Sequence, residues 1–541
     1  MIRPAKPSAR RSGRRRHQPA RALPRLSPAR ALAAFAGLWL LALTLQWHNG
    51  AWQADFGAHP DEAAHVVTGL MIRDYLAGGF LTEAHPMRYA EAYYDHFPRV
   101  ALGHYPPGFY LTEALFFLPA PVAGAALVHN ATIAAVLAAL LFLVGRRLTG
   151  NPALALAGAV VLLLLPVVQR YTAVIMADLL VALLMLLSAL AFARFLVTES
   201  RRDSLLFGLL AAATILTKGS GLLLALLPPL AIALTGRWSL LKNPALWLAP
   251  IPVLLLALPW MWFTHDISAE GMRGVPLLQH FREALTFYPA YLPRMLGWGW
   301  TVLLVAGLVT TALALLRRRA PLAETALPAC LLALVLALYG FHVLCPIGLE
   351  DRYLLPALPP LMLLALRVAQ SLFRAADLPA RSAWVPAAVV ILLAAVEIIR
   401  ATPKDHRGFT ELAAPVAAAA TSTATSVLVS SDARGEGAFI AAAAFAVRQR
   451  SDSPLRVLRS SQHLASSDWM GRGYQLAATD TAGVEALFEK LDVQWVVVDP
   501  GLGDRTRRPH HRLMVDWWQA LHEGAGQPAA TDPNPPVLIA R

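Results

Sequence analysis

Apolar runs of near-bilayer length, parted by short polar breaks, fill most of the chain. Residues 179–195, 246–263 and 385–399 each approach the roughly 20 apolar residues that cross a hydrocarbon core. The basic breaks between runs orient them, because short cytoplasmic loops carry the excess of Lys and Arg. With the N-terminal tail inside, residues 31–47 cross outward and 48–105 form an outer loop. Residues 109–145 return to Arg146-Arg147. Pro119 and Pro121 interrupt that stretch, which reads as a surface helix followed by a span. Residues 152–170 cross out and 176–197 cross back to Arg201-Arg202. Two shorter runs, 204–217 and 220–234, form a hairpin that leaves Lys218 outside or part-way in from that side. Residues 246–263 go out, 298–316 return to Arg317-Arg318-Arg319, and 327–344 go out again. Residues 354–373 then come back to Arg374 and Arg381, and 384–399 cross out a last time. The pattern predicts about eleven spans, or about thirteen if 109–145 folds as three.

Beyond residue 400 the pattern changes. Residues 427–430 (Val-Leu-Val-Ser) and 495–498 (Trp-Val-Val-Val) read as buried strands, and 438–447 and 481–490 as helices. The alternation, with Pro- and Gly-containing turns between elements, predicts a small α/β domain with an open sheet. The expected fold class is a polytopic α-helical membrane protein with a small C-terminal extracytoplasmic α/β domain. Its parts are a disordered basic cytoplasmic tail (1–30), a transmembrane domain (31–400) whose first outer loop covers 48–108, and the α/β domain (401–541).

Composition agrees. The chain is 57% hydrophobic and 15% charged, where a soluble protein carries about 25% charged residues. The net charge of +13 is no nucleic-acid signal. The first 30 residues hold ten Lys or Arg and no acid, whereas the last 141 hold 14 basic and 15 acidic side chains. No nucleic-acid partner is expected. The two cysteines, Cys330 and Cys345, lie near opposite ends of one predicted helix. Their separation of about 22 Å is far beyond disulfide reach.

Asp61 and Glu62 stand in the run His59-Pro60-Asp61-Glu62-Ala63-Ala64-His65, just after the first span. Adjacent carboxylates repel each other, so they need a reason. One reading is a helix start, with Asp61 as N-cap and Glu62 in the first turn. The other comes from the topology, which collects unusual polar groups on the same outer face. They are Asp61, Glu62 and His65; Arg88 and Tyr89; His104 and Tyr105 before Pro106-Pro107-Gly108; Asp178; Lys218; and Glu350-Asp351-Arg352-Tyr353. Each has a structural explanation alone. Asp178 can cap the helix after it, Lys218 can snorkel, Arg352-Tyr353 can anchor at the interface, and 104–107 can turn into a helix. Together they are charges beside or within apolar segments, which are rare and usually functional. Such a set suits chemistry on a lipid phosphate entering from the bilayer. Lys218, Arg88 or Arg352 would hold the phosphate, and a carboxylate would deprotonate an acceptor hydroxyl. The same cations would stabilise the departing polyprenyl phosphate. No His/Cys/Asp cluster has zinc-like spacing. Neighbouring carboxylates suit Mg²⁺ or Mn²⁺ chemically, yet no metal site and no cofactor is assigned.

Six motifs in order carry a family resemblance. They are Pro60-Asp61-Glu62, Tyr105-Pro106-Pro107, Asp178 at a span start, Thr217-Lys218-Gly219, Leu258-Pro259-Trp260 and Arg352-Tyr353-Leu354-Leu355-Pro356. Across residues 31–373 the chain resembles the GT-C glycosyltransferases. Within them it looks like the branch of protein O-mannosyltransferases, the lipid A aminoarabinose transferase and the RgtA/B/C/D-like enzymes. The resemblance implies an inner-membrane enzyme that moves a sugar, usually with inversion, from a polyprenyl-phosphate-linked donor. The acceptor is a lipid, glycan or protein on the extracytoplasmic face. The resemblance makes Asp61 the base, with Glu62 and Asp178 assisting. The reading of the residues places Lys218, Arg352, Arg88 and Tyr353 at the donor phosphate, and His65, His104 and Tyr105 in substrate positioning. The resemblance suggests no metal. Three departures matter: an aromatic is common where His65 stands, His104-Tyr105-Pro106-Pro107 replaces the Lys-Pro-Pro of the lipid A enzymes, and the C-terminal α/β domain is not diagnostic of any one member. The second argues against a lipid A acceptor and shifts phosphate binding towards Lys218, Arg88 and Arg352.

The alternative is a lipid-linked sugar carrier that uses the same cations without transfer chemistry. A single broken helix pair and no internal repeat argue against it. A scaffold that only anchors the α/β domain leaves Asp178 and Lys218 unexplained.

Overall fold

The computed structural model describes residues 26–541 apart from 273, 377–381, 383, 399–402, 421–423, 448–449, 451–452, 469 and 524–534. Most of the expected tail, Arg381 and the end of the last expected span at 399 lie outside the described residues.

The chain is a multi-pass membrane protein. Ten helices open it: α1 (Pro28–His48), α2 (Glu62–Leu76), α3 (Pro86–His96), α4 (Gly108–Phe117), α5 (Ala123–Thr149), α6 (Pro152–Leu164), α7 (Pro166–Ala173), α8 (Asp178–Thr198), α9 (Arg201–Thr217) and α10 (Leu227–Thr235). Among the described residues seven helical segments are long and apolar enough to span. They are α1, α5, α8, Leu246–Phe263, Leu277–Leu316, Leu322–Leu344 and Asp351–Ala375. The pair α6 and α7 makes an eighth, bent by 59° where Leu165 turns extended ahead of Pro166. The expected count was higher because it took every apolar run as a complete crossing. Helix α9 and the segment Gly219–Thr235 are short pieces that meet at Lys218, whose backbone is extended (φ −158°, ψ 136°). Residues 109–145 form two helices rather than three, parted at Pro119 and Pro121 as the prolines predict. In Leu277–Leu316 the helix breaks at Gly297 (φ 74°), where the apolar run begins.

The C-terminal region carries β1 (Thr425–Ser430), β2 (Leu455–Arg459), β3 (Ala465–Ser466), β4 (Gln475–Leu476), β5 (Trp495–Val498) and β6 (Val537–Ala540). Four form a sheet in the order β2-β1-β5-β6. β2, β1 and β5 are parallel, in a register pairing Val427 with Val457 and with Trp495, while β6 runs antiparallel to β5. β3 and β4 pair separately. Side chains alternate between faces. Val427, Val429 and Val497 enter the large core shared with the membrane helices. Leu428, Val496 and Val498 close a small core with Phe488, Met514 and Trp517. Helix Ala433–Ala446 starts earlier than the periodicity suggests because the Asp432 carboxylate caps the amides of Arg434 and Gly435. It lies against α2 so closely that a Cβ on Gly437 would stand 2.9 Å from that of Ala63. The C-terminal region thereby presses on the helix that begins at Asp61.

Candidate active site

Asp61 stands at the N-terminus of α2 but does not cap it, for its side chain bonds none of the helix amides. Its Oδ2 accepts the Tyr105 hydroxyl at 2.8 Å and both terminal nitrogens of Arg352 at 3.4 Å. The Asp61 amide donates to Nδ1 of His59 at 3.1 Å. Burial pushes the Asp61 carboxyl up, but the Arg352 guanidinium, then His59, and the Tyr105 hydroxyl outweigh it and hold the group at about 2. Arg352 also meets Glu350, at 2.8 Å from Nε and 3.0 Å from Nη2, and His59 Nε2 stands 3.4 Å from the same carboxylate. Burial raises Glu350, while the bond from His59 and the charge of Arg352 bring it down to about 2.

A second pair lies beside the first. Lys218, freed by the break after α9, donates to Asp178 Oδ1 at 2.6 Å, and both side chains are buried. Tyr353 gathers the cations: Lys218 Nζ lies 4.9 Å and the Arg352 guanidinium 5.4 Å from its ring centroid. The ring is stacked on His342 at 5.0 Å. Asp61, Lys218, Arg352 and Tyr353 line one cavity of about 870 Å³, which His104 also borders. The cavity's far wall belongs to the C-terminal region, with Ser431, Arg459 and His510.

His65 sits one turn after Asp61, buried against Tyr105 (4.8 Å between centroids) and Phe109 (5.4 Å). Burial drives its imidazole down to about 3 despite the Asp61 charge, so it is neutral near pH 7. It supports the floor of the site and does not line the cavity.

Two expected site residues lie elsewhere. Glu62, expected to assist Asp61, is fully buried. Its oxygens are taken by the amides of Ala58 (2.9 Å) and Ile175 (3.0 Å) and by Lys404 Nζ (2.6 Å). Arg88, expected at the phosphate, is exposed on α3 and does not line the cavity. Conversely His59 and His342 join the site without having been singled out, although His59 stands in the run of Asp61, while Glu350, noted only as one of the polar groups beside Arg352, pairs with that arginine. The acidic group Asp55, His406 and Glu411 has metal-like geometry. However, Asp55 already accepts the amides of Arg407, Gly408, Phe409 and Thr410 and the Thr410 hydroxyl, which makes it a loop clamp.

The family model described as dolichyl-phosphate-mannose-protein mannosyltransferase matches residues 63–267, a stretch that holds Tyr105, Asp178 and Lys218. No curated protein matches the chain. Among solved structures, the crystal structure of ArnT from Cupriavidus metallidurans bound to undecaprenyl phosphate aligns with a TM-score of 0.55 at 15% identity. That alignment covers 94% of this chain and 97% of that one. The apo-state crystal structure of the same protein gives 0.56 at 15% identity, covering 94% and 98%. The chain has the ArnT fold. The ArnT-like architecture agrees with the resemblance carried by the six motifs and, at 94% of the chain, extends past residue 373.

Proposed function

We propose that the protein is a membrane glycosyltransferase that moves a sugar from a polyprenyl-phosphate-linked donor to a lipid, glycan or protein hydroxyl on the extracytoplasmic face. The observation that carries this reading is Asp61, bonded to Tyr105 and Arg352, on the wall of a cavity shared with Lys218. The PMT match and the ArnT fold support it, as does the undecaprenyl phosphate named for one ArnT structure.

In this mechanism Lys218 and Arg352 hold the donor phosphate, with Tyr353 supporting both. The acceptor oxygen attacks the anomeric carbon from the face opposite the phosphate, which gives inversion. The bond to the phosphate oxygen breaks and the electron pair leaves with the polyprenyl phosphate, whose growing charge the same cations neutralise. Asp61 accepts the hydroxyl proton. A carboxylate held near 2 is a weak base, so the proton moves late, once the forming C–O bond has made the hydroxyl acidic. Asp178 keeps Lys218 in place.

The test is turnover of a polyprenyl-phosphate sugar by purified protein in nanodiscs, with released polyprenyl phosphate and glycosylated acceptor both measured. Asp61→Asn should lower kcat by about 10²–10⁴-fold. Full activity in that variant would remove the base from the mechanism. Passage of intact lipid-linked sugar across liposomes without transfer would identify a carrier instead.

A further inference from the structure

The far wall of the cavity holds more positive charge than the transfer step uses. We propose that Arg99, Arg459, Arg508 and His510 form an acceptor subsite that takes a phosphate or carboxylate group borne by the acceptor. This inference rests on the transferase reading.

Apart from Arg99, which lies between α3 and α4, the wall is the carboxyl edge of the C-terminal sheet. The chain leaving β1 passes through Ser431, Asp432 and Ala433, and that leaving β2 through Ser461 and Gln462, all on the cavity. β1 has β2 on one side and β5 on the other, so the chain order reverses there. In open α/β sheets ligands bind outside the carboxyl ends of the strands at such a reversal.

The charges on this edge do not balance. Arg459 Nε bonds Glu436 at 2.9 Å, and that buried carboxylate also accepts the hydroxyls of Ser460 and Ser461. Arg508 rests against the Tyr474 ring at 5.5 Å. Arg99 donates to the Ala433 carbonyl. Neither Arg508 nor Arg99 has an ion-pair partner among the described residues. Three guanidiniums thus share one buried acid. Of the other acids on the wall, Asp432 caps its helix, Asp468 is held by Arg472 at 2.6 Å, and Glu270 is exposed.

Two buried donors or acceptors on the wall are also unused. Arg99 Nε and His510 Nε2 have no hydrogen-bond partner, although the residues are only 7% and 2% exposed. The His510 ring is fixed by the Tyr474 hydroxyl at Nδ1, 3.0 Å away. Burial, and then Arg459, hold the Arg99 guanidinium down to about 9, and the Asp61 charge also reaches it. A ligand oxyanion would supply the counter-charge that the cavity-lining guanidiniums lack and relieve the repulsion between the arginines. It would also anchor the acceptor on the side of the cavity facing Asp61, where a neighbouring hydroxyl of the same molecule meets the base.

The experiment uses the full chain in phosphatidylcholine nanodiscs saturated with a polyprenyl phosphate, which fills the Lys218 and Arg352 end. Inorganic phosphate is then titrated calorimetrically. One further phosphate should bind per chain. Arg508→Gln, an exposed position whose thermal melting should match the parent, should weaken it about tenfold or more. Arg88→Gln, at an exposed position off the cavity, should leave this second event unchanged. Displacement of the phosphate by glucose 1-phosphate would point to an anionic glycan, and displacement by phosphatidic acid in the nanodisc to a lipid headgroup. Displacement by neither would overturn the subsite. So would phosphate that binds only by expelling the polyprenyl phosphate, or binding indifferent to Arg508→Gln. Polyprenyl phosphate binding and donor turnover are read separately: their persistence without a second phosphate sinks the subsite alone, and their loss sinks the transferase reading.

Discussion

At the scale of single residues, the candidate site holds two carboxylates that are fixed in different ways. Asp61 is largely buried at the cavity wall and owes its low pKa to Arg352, His59 and the Tyr105 hydroxyl prevailing over burial. A carboxyl lowered from 3.8 to about 2 contributes stability above the unfolded value and loses it as pH falls through the folded one. Asp61 should therefore give no acid limb in the pH profile of kcat/KM above about pH 4. Arg352→Met should let burial prevail and move an acid limb upward into the measurable range, together with a loss of donor affinity. Asp178 is buried against Lys218 and has no such freedom. Lys218→Met strands a buried carboxylate, and the expected cost is about 3–5 kcal/mol, read as a fall in melting temperature. Adding Asp178→Asn should recover part of it. If the single variant melts like the parent, the pair is not the buried contact described.

At the scale of elements, Glu62 explains how the site is held. Its carboxylate joins the loop before α2, the amide of Ile175 just ahead of Asp178, and Lys404 on the strap into the C-terminal region. Lys404 also donates to the Ala173 carbonyl, and its amide bonds the Asn49 carbonyl at the end of α1. Asp61 and Asp178 each lie within three residues of this knot, so their spacing depends on it. Lys404→Met should destabilise the fold by about 3–5 kcal/mol and lower kcat. The double variant Glu62→Gln/Lys404→Met should melt nearer the parent, because neither partner is left as a lone buried charge. Equal losses in single and double variants would show that the charges do not act as a pair.

At the scale of the whole molecule, the cavity exists because the sheet edge closes over the membrane helices. Its floor is built by residues near positions 61, 105, 218 and 352, and its roof by residues after 430. The expected orientation places that cavity on the extracytoplasmic side and Arg317-Arg318-Arg319 inside. Single cysteines make this testable in a background where Cys330 and Cys345 are replaced. Thr506→Cys should react with an impermeant maleimide in intact spheroplasts, and Arg318→Cys only after lysis. The reverse labelling would invert the topology.

What could be read along the chain were properties decided locally. Lipid acts on each apolar run by itself, so run length and basic breaks placed the membrane segments. Proline acts on its own turn of helix, so 109–145 divided where Pro119 and Pro121 stand. The strands at 427–430 and 495–498 were legible because a buried parallel strand is apolar on both faces. Run length alone did not separate a bent pair such as α6 and α7 from a straight span, since the break depends on one backbone angle. The site was legible as a set of residue types at the breaks between apolar runs, but not as a geometry. Asp61 and Glu62 are neighbours with the same chemistry. Only tertiary structure sent one to Tyr105 and Arg352 and the other to Lys404, 342 residues away. It likewise left Arg88 on the surface and brought Arg352 to the carboxylate. The sequence by itself determined that charged groups stand beside or within apolar runs. Which of them share a cavity was decided by how the helices rotate and pack, a long-range outcome that no local pattern encodes.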